Sequence, residues 1–190
     1  MIYIIRRLVF SFYKALFKNP RSVGAISPSA KPLARAMAAC VPKSHSGFVV
    51  EIGAGTGAVT KAMLERGIPP QKIIIVEHSE FLAELLVHRF PEVNVIHGNA
   101  IHLVKLLGAY NERIGTIISS LPLLILHEET KRRIIDQINA VLKKDGYYIQ
   151  YTYWYTKSAF ESLERYTKIH TQRIWLNLPP ARVDVFKVID

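Results

Sequence analysis

Apolar residues along this chain follow two kinds of spacing. Residues 49–52, 72–77, 93–96, 113–119 and 147–153 are short, nearly continuous runs of Val, Ile and aromatic residues, several of them bounded by glycine. Runs of that length and composition read as strands buried on both faces. Between them, 31–39, 60–66, 79–90, 101–107 and 127–142 are rich in helix formers, with apolar positions three and four apart, the pattern of helices with one packed face. Ser29 and Ser79 stand where N-caps belong, Pro32 lies in a first turn, and Pro91 closes the helix before it. Strands alternating with helices at this spacing predict an α/β fold with a doubly wound, mostly parallel sheet. The last quarter departs from that rhythm. A helix near 157–166 and strands near 169–176 and 182–189 predict an antiparallel hairpin that completes a seven-stranded sheet.

Residues 2–18 differ from all of these. They hold no proline or glycine, so a helix is expected, and at 100° per residue Arg7, Ser11, Lys14 and Lys18 fall on one narrow face with Arg6 on its flank. Ile4, Ile5, Leu8, Val9, Phe12, Leu16 and Phe17 cover most of the remainder. The run is shorter than the roughly 20 apolar residues of a membrane span, and no small-residue cleavage site follows it. It reads as an amphipathic helix in a membrane interface, with residues 1–22 forming this element and 23–190 the folded domain. The alternative is a helix docked on the protein's own core.

Charge sharpens this picture. Eight cations (Arg6, Arg7, Lys14, Lys18, Arg21, Lys31, Arg35 and Lys43) precede Glu51, the first acid, so of 25 cations 17 remain against 15 anions and the net charge of +10 is largely N-terminal. Such a one-sided charge marks an anionic partner, either nucleic acid or an acidic membrane surface. At 190 residues and 49% hydrophobic, the chain is long enough for one globular domain with a sizeable core. The single cysteine, Cys40, excludes an intramolecular disulfide and a cysteine zinc cluster, which makes a reducing cytoplasmic setting the default and leaves no metal site expected.

The candidate chemistry begins where the first strand ends. Glu51-Ile-Gly53-Ala-Gly55-Thr-Gly57-Ala58 places a glycine-rich turn between a buried strand and a helix, where open α/β sheets bind ligands and helix N–H groups face outward. Gly53-x-Gly55-x-x-Ala58 meets the loose dinucleotide fingerprint, with Glu77 at the distance of a ribose-holding acid. Three further features separate the chain from that reading: an acid two residues before the first glycine, glycines at alternate positions through Gly57, and Ser119-Ser-Leu-Pro-Leu123 after the fourth strand.

Over about residues 48–153 the pattern resembles the Rossmann-like class I S-adenosylmethionine-dependent methyltransferases, whose first motif reads acid-x-Gly-x-Gly-x-Gly. The resemblance implies that Glu51 and the backbone of Gly53, Gly55 and Gly57 lie along the methionine part of S-adenosylmethionine. It also implies that Glu77 accepts both ribose hydroxyls, that Asn99 and Ala100 border the adenine, and that S-adenosylhomocysteine is the product. Asn99 stands where such families often carry Asp, so it offers a neutral amide. Outside this core, Arg21-Ser-Val-Gly-Ala-Ile-Ser-Pro-Ser29, Ser119-Ser-Leu-Pro-Leu123 and Asn177-Leu-Pro-Pro-Ala-Arg-Val183 are similar to the bacterial phospholipid N-methyltransferases that make phosphatidylcholine from phosphatidylethanolamine. With these segments the resemblance spans nearly the whole chain, and it implies membrane association through the N-terminal helix.

On that reading the enzyme works in the cytoplasm, held peripherally on the inner face of the cell membrane by Arg6, Arg7, Lys14 and Lys18. Its partners are an anionic surface and a phospholipid substrate, with no DNA, no obligate protein partner, and RNA the weaker candidate. His127 is the candidate base by its intrinsic pKa; the alternative is that Ser119, also expected beside the cofactor, Ser120 or the Leu121 carbonyl orients the acceptor amine instead. Tyr151, Tyr153, Trp154 and Tyr155 offer aromatic faces to a methylated ammonium, although strand alternation divides them between two faces. Arg182 offers a fork to a lipid phosphate. The rival family is the ribosomal RNA adenine dimethyltransferases, whose Asn-Leu-Pro-aromatic turn holds a planar base; Ser120-Leu121-Pro122-Leu123 lacks both the amide and the ring. A non-catalytic membrane- or RNA-binding module on the same fold is the other alternative.

Overall fold

The computed structural model describes residues 30–43, 47–121, 123, 126–153, 158, 160, 161, 163–176 and 180–189. The helix expected at 2–18 with Arg6, Arg7, Lys14 and Lys18, the boundary at residue 22, the Ser29 cap, Trp154, Tyr155 and residues 177–179 lie outside them.

The β-branched runs form strands because such side chains pack well on a pleated surface and each run can be covered on both faces. They are β1 (Phe48–Ile52), β2 (Ile73–Glu77), β3 (Asn94–His97), β4 (Ile114–Ser119) and β5 (Tyr147–Tyr153), followed by β6 (Tyr166–Ile174) and β7 (Ala181–Val188). One sheet holds all seven in the order β3-β2-β1-β4-β5-β7-β6. The first five strands are parallel, while β7 runs antiparallel to both β5 and β6. Chain order reverses on either side of β1, which has β2 on one flank and β4 on the other. That is the switch point where such sheets open a crevice.

Among the described residues five α-helices cover the sheet: α1 (Ala30–Ala39), α2 (Ala58–Glu65), α3 (Glu80–Arg89), α4 (Leu103–Leu107) and α5 (Glu128–Val141). Side chains alternate along each strand, so successive residues feed two cores. Val49, Ile73, Ile75, Ile118 and Ile149 pack with Met37, Ala62, Met63 and Leu86 on the face covered by α1, α2 and α3. Val50, Ile52, Ile74, Ile117 and Tyr148 pack with Leu103, Leu107, Ile134 and Ile138 on the face covered by α4 and α5. Each buried aliphatic side chain contributes about 1.5–3 kcal/mol relative to exposure, so both faces of the runs had to be apolar. Ser79 caps α3 as expected, its hydroxyl accepting from the Leu82 N–H at 3.4 Å.

The helix expected near 157–166 is a correction. Described residues there form turns closed by Leu163 N–H to the Phe160 carbonyl and Tyr166 N–H to the Leu163 carbonyl, and Tyr166 already opens β6. Tertiary packing overrides local propensity, because Phe160 is drawn beneath the sheet, stacked on Tyr148 at a centroid distance of 3.9 Å.

Candidate active site

A cavity of about 180 Å³ opens at the carboxyl ends of β1, β2, β3 and β4. The turn after β1 supplies Gly53 and Gly55, the end of β2 supplies Glu77, His78 and Ser79, and the turn after β3 supplies Gly98, Asn99 and Ala100. Ser120, Leu121, Leu126, Thr130 and Ile134 close the far wall.

Gly53 and Gly55 sit at φ of +73° and +59°, the left-handed region that favours glycine. A Cβ on Gly53 would come within 2.5 Å of the Leu121 side chain, whereas one on Gly55 meets no described protein atom within 4 Å. Gly55 therefore keeps the space above it open for a ligand. Gly57 has a different use from the one expected. It lies outside the cavity wall, and a Cβ there would come within 2.4 Å of the Phe90 ring, so its place is close packing of α2 on the end of α3. For Gly55→Ala we expect a modest loss of stability, about 1 kcal/mol from the strained φ, with S-adenosylmethionine affinity reduced about tenfold by the added methyl. Calorimetric titration against thermal unfolding separates the two effects.

Glu77 is nearly fully buried and braces the turn. Its Oε2 accepts the Gly55 N–H and its Oε1 accepts the Ser79 N–H, each at 2.9 Å. Each carboxylate oxygen keeps a further lone pair, which suits the vicinal hydroxyls of a ribose. Glu51 lies behind the turn with no exposed surface and does not itself line the cavity. Its Oε2 accepts from the Thr60 hydroxyl at 2.6 Å, while its Oε1 has no hydrogen-bond partner among the described residues. Burial pushes the Glu51 carboxyl up to about 7, against the pull of the Thr60 hydrogen bond, and the Glu77 charge pushes it the same way. A cation in the cavity would favour its ionised form.

Asn99 and Ala100 line the cavity, and the Asn99 amide oxygen is occupied in capping, accepting from the Ile101 N–H at 3.1 Å. Ser120 lines the cavity too. Ser119 is fully buried at the end of β4, on the α4/α5 face, together with Tyr148. The hydroxyls of Ser120 and Thr152 are buried without hydrogen-bond partners among the described residues, while the buried hydroxyls of Ser119 and Tyr148 lie against each other. Burial pushes the Tyr148 phenol well above its usual range, so it stays protonated.

Three expected residues are placed elsewhere. His127 is exposed at the start of α5 and is not part of the cavity wall. Tyr151 packs against the α1/α2 core, away from the cavity, and only the backbone of Tyr153 is described. Arg182 is engaged within the protein: its Nε donates to Asp184 Oδ2 at 2.8 Å and its Nη2 to Glu161 Oε1 at 2.9 Å. Asp184 is fully buried and also accepts from the Thr171 hydroxyl, so Arg182 neutralises a buried charge instead of presenting a free fork to phosphate. Sequence reasoning passed over Thr60, Thr130, Tyr148 and Asp184. Only Asp184 carried a signal, an acid at an inward position of the alternating run Arg182-Val-Asp184-Val-Phe186.

The methyltransferase domain family matches residues 49–146, more than half of the chain and all of this cavity's glycine turn. The chain belongs to that family. This methyltransferase is similar to ornithine lipid N-methyltransferase of Singulisphaera acidiphila, 28% identical over 179 residues that cover 90% of this chain and 92% of the relative. An uncharacterized methyltransferase of Oceanobacillus iheyensis is 30% identical over 98 residues, 52% of this chain and 43% of that protein. In fold it is similar to 1,6-didemethyltoxoflavin-N1-methyltransferase of Burkholderia thailandensis, solved with S-adenosylhomocysteine, with a TM-score of 0.69 at 16% identity, covering 99% of this chain and 90% of that one. An N-methyltransferase of Bradyrhizobium japonicum, also solved with S-adenosylhomocysteine, aligns with a TM-score of 0.62 at 12% identity over 85% of this chain and 86% of that one.

The cavity fits S-adenosylmethionine as cofactor. Gly55 leaves room against the main chain, Glu77 offers free lone pairs, Asn99 and Ala100 form a wall beyond it, and the orphaned Glu51 oxygen lies behind the turn. Among the described residues no cluster of His, Cys, Asp or Glu is arranged to hold a metal ion.

Proposed function

We propose that this methyltransferase N-methylates the primary amine of a membrane amino lipid, with phosphatidylethanolamine as acceptor on the route to phosphatidylcholine. The observation that carries the lipid class is the likeness, over nearly the full length of both chains, to an ornithine lipid N-methyltransferase. That same likeness favours a second reading, in which ornithine lipid is the better acceptor.

The site's own chemistry supports an amine. S-adenosylmethionine supplies, when bound, a methyl group on a sulfonium that a neutral amine takes up by in-line displacement. Positioning and a polarised pocket dominate the rate of such a step. Ser120 brings a buried, unpartnered hydroxyl oxygen to the cavity wall just past β4, with Ser119 buried behind it, and that oxygen suits an amine's N–H group while leaving its lone pair directed at the methyl group. Tyr148, a permanent donor, completes the polar floor beneath Ser119. Leu121, Leu126 and Ile134 make the cavity's outer wall apolar, which excludes water that would keep the amine protonated.

Membrane access follows from the basic amphipathic segment at residues 2–18, which would hold the enzyme peripherally on the inner, anionic face of the cell membrane. Among the described residues no helix is long and apolar enough to cross a membrane. The test supplies methyl-labelled S-adenosylmethionine to the full-length protein with vesicles of phosphatidylglycerol containing phosphatidylethanolamine, ornithine lipid or neither. Label in the phosphatidylethanolamine vesicles is the expected result; label only with ornithine lipid transfers the assignment to that acceptor, and label with neither amino lipid rejects the lipid class.

A further inference from the structure

Two large apolar side chains stand exposed side by side at the end of β6: Trp175 is 62% and Leu176 78% accessible. Exposed Arg173 immediately precedes them. β6 and β5 are both antiparallel to β7, so β6 ends at the same edge of the sheet as β1, β4 and β5. Ile174 pairs with Ala181, Ala181 pairs with Tyr153, and Tyr153 lies three residues past Gln150, the partner of Ser119. At about 3.3 Å per residue, the end of β6 stands some 10 Å beyond the level of Ser119. It therefore projects from the edge that carries the cavity mouth.

A second element meets that edge. Arg66, just after α2, donates through its guanidinium to the Ala38 carbonyl and, at 2.8 Å, to the Val41 carbonyl. The ends of α1 and α2 are thereby tied together at the opposite, amino edge of the sheet. Because α1 packs along α2, its start with exposed Lys31 faces the carboxyl edge. Lys31, Arg173, an indole and a leucine thus share one rim with the cavity. Tryptophan with an apolar body and a polar N–H suits a bilayer's headgroup level, and the flanking arginine suits anionic lipid.

We propose that the β6–β7 tip, through Trp175, Leu176 and Arg173, inserts into an anionic bilayer and sets the cavity mouth against the lipid surface. This rests on the lipid reading above, but its readout is independent of methyl transfer. In a Trp154→Phe chain, Trp175 is the only tryptophan. Added vesicles of phosphatidylethanolamine and phosphatidylglycerol should shift its emission to the blue, and brominated acyl chains should quench it. Replacing Trp175 and Leu176 together by serine should lower vesicle partitioning about tenfold, as expected for losing two apolar side chains from the interface. Their exposure makes folding of that variant the expected result, and the emission of the Trp154→Phe chain tests the tip even without it. Should Trp154→Phe itself misfold, loss of the vesicle-induced emission change in Trp175→Phe gives the same readout.

An emission that stays unchanged on vesicle binding overturns the proposal, since a chain held only by its N-terminal segment behaves that way. Emission already blue before vesicles are added also overturns it, because the tip is then covered by protein. If Trp175 inserts and no lipid amine is labelled, the acceptor assignment fails and the docking edge stands. If lipid is labelled while Trp175 stays aqueous, the acceptor assignment stands and the docking edge fails.

Discussion

Changing Glu77 to alanine should weaken S-adenosylmethionine binding by about 100-fold or more, the largest single-residue effect expected in this protein. The carboxylate does two things at once. It holds the Gly55 and Ser79 N–H groups, and its remaining lone pairs face the cavity. Removing it deprives the two ribose hydroxyls of their acceptors and leaves the glycine turn unbraced, and each hydrogen bond to a charged group is worth about 1.5–3 kcal/mol. Two such losses convert to the stated drop in affinity at about 1.4 kcal/mol per tenfold. Titration calorimetry reads the affinity. A Glu77→Gln variant, which keeps one acceptor oxygen, should fall between the two. Wild-type affinity in Glu77→Ala would remove this residue from the cofactor site.

Glu51 sets the second large effect, a dependence on pH. Its folded carboxyl titrates near 7, above the ordinary 4.5, chiefly because burial disfavours the charge. Without cofactor, the folded protein holds this proton more tightly than the unfolded chain does. The associated stability is fully present below pH 4.5, declines as pH rises, and is gone above about 7. The size is on the order of 3 kcal/mol for a shift of this extent. A cationic ligand in the cavity reverses the preference and favours the ionised form. Affinity for S-adenosylmethionine should therefore fall as pH drops below 7, approaching tenfold per unit. Glu51→Gln should flatten both curves: the apo protein becomes more stable than wild type at pH 8, and cofactor affinity loses its acid limb while dropping overall. Parallel pH slopes in wild type and variant would falsify the assignment.

How much of this was legible beforehand differs between the strands and the site. β1 to β5 could be read because buried parallel strands need both faces apolar, and runs such as Ile73-Ile-Ile-Val76 have no other use. Glu77 and the glycines were legible for a related reason, since an acid and unusual backbone freedom at a strand end are rare without a ligand or a tight turn to explain them. The turns between β5 and β6 were not legible. Residues near 157–166 have acceptable helix propensity, but Phe160 gains more by stacking beneath Tyr148 than a short isolated helix offers. Arg182 was misread for a similar reason: a lone arginine in a sequence gives no sign that a buried aspartate two residues on will claim it.

By itself the sequence determined the strand and helix alternation, the acid-glycine turn and the one-sided N-terminal charge, because each follows from local periodicity or from residues adjacent in the chain, while the class of cofactor came from the turn's resemblance to the methyltransferases. Only the tertiary structure decided which residues meet. It placed Glu51 behind the turn with Thr60 and gave Gly57 to helix packing. It also buried Ser119 beside Tyr148 and brought the β6–β7 tip to the same edge as the cavity. Those pairings join residues far apart in the chain. They are fixed by sheet order and by the direction each strand runs, neither of which a linear pattern of apolar and polar positions contains.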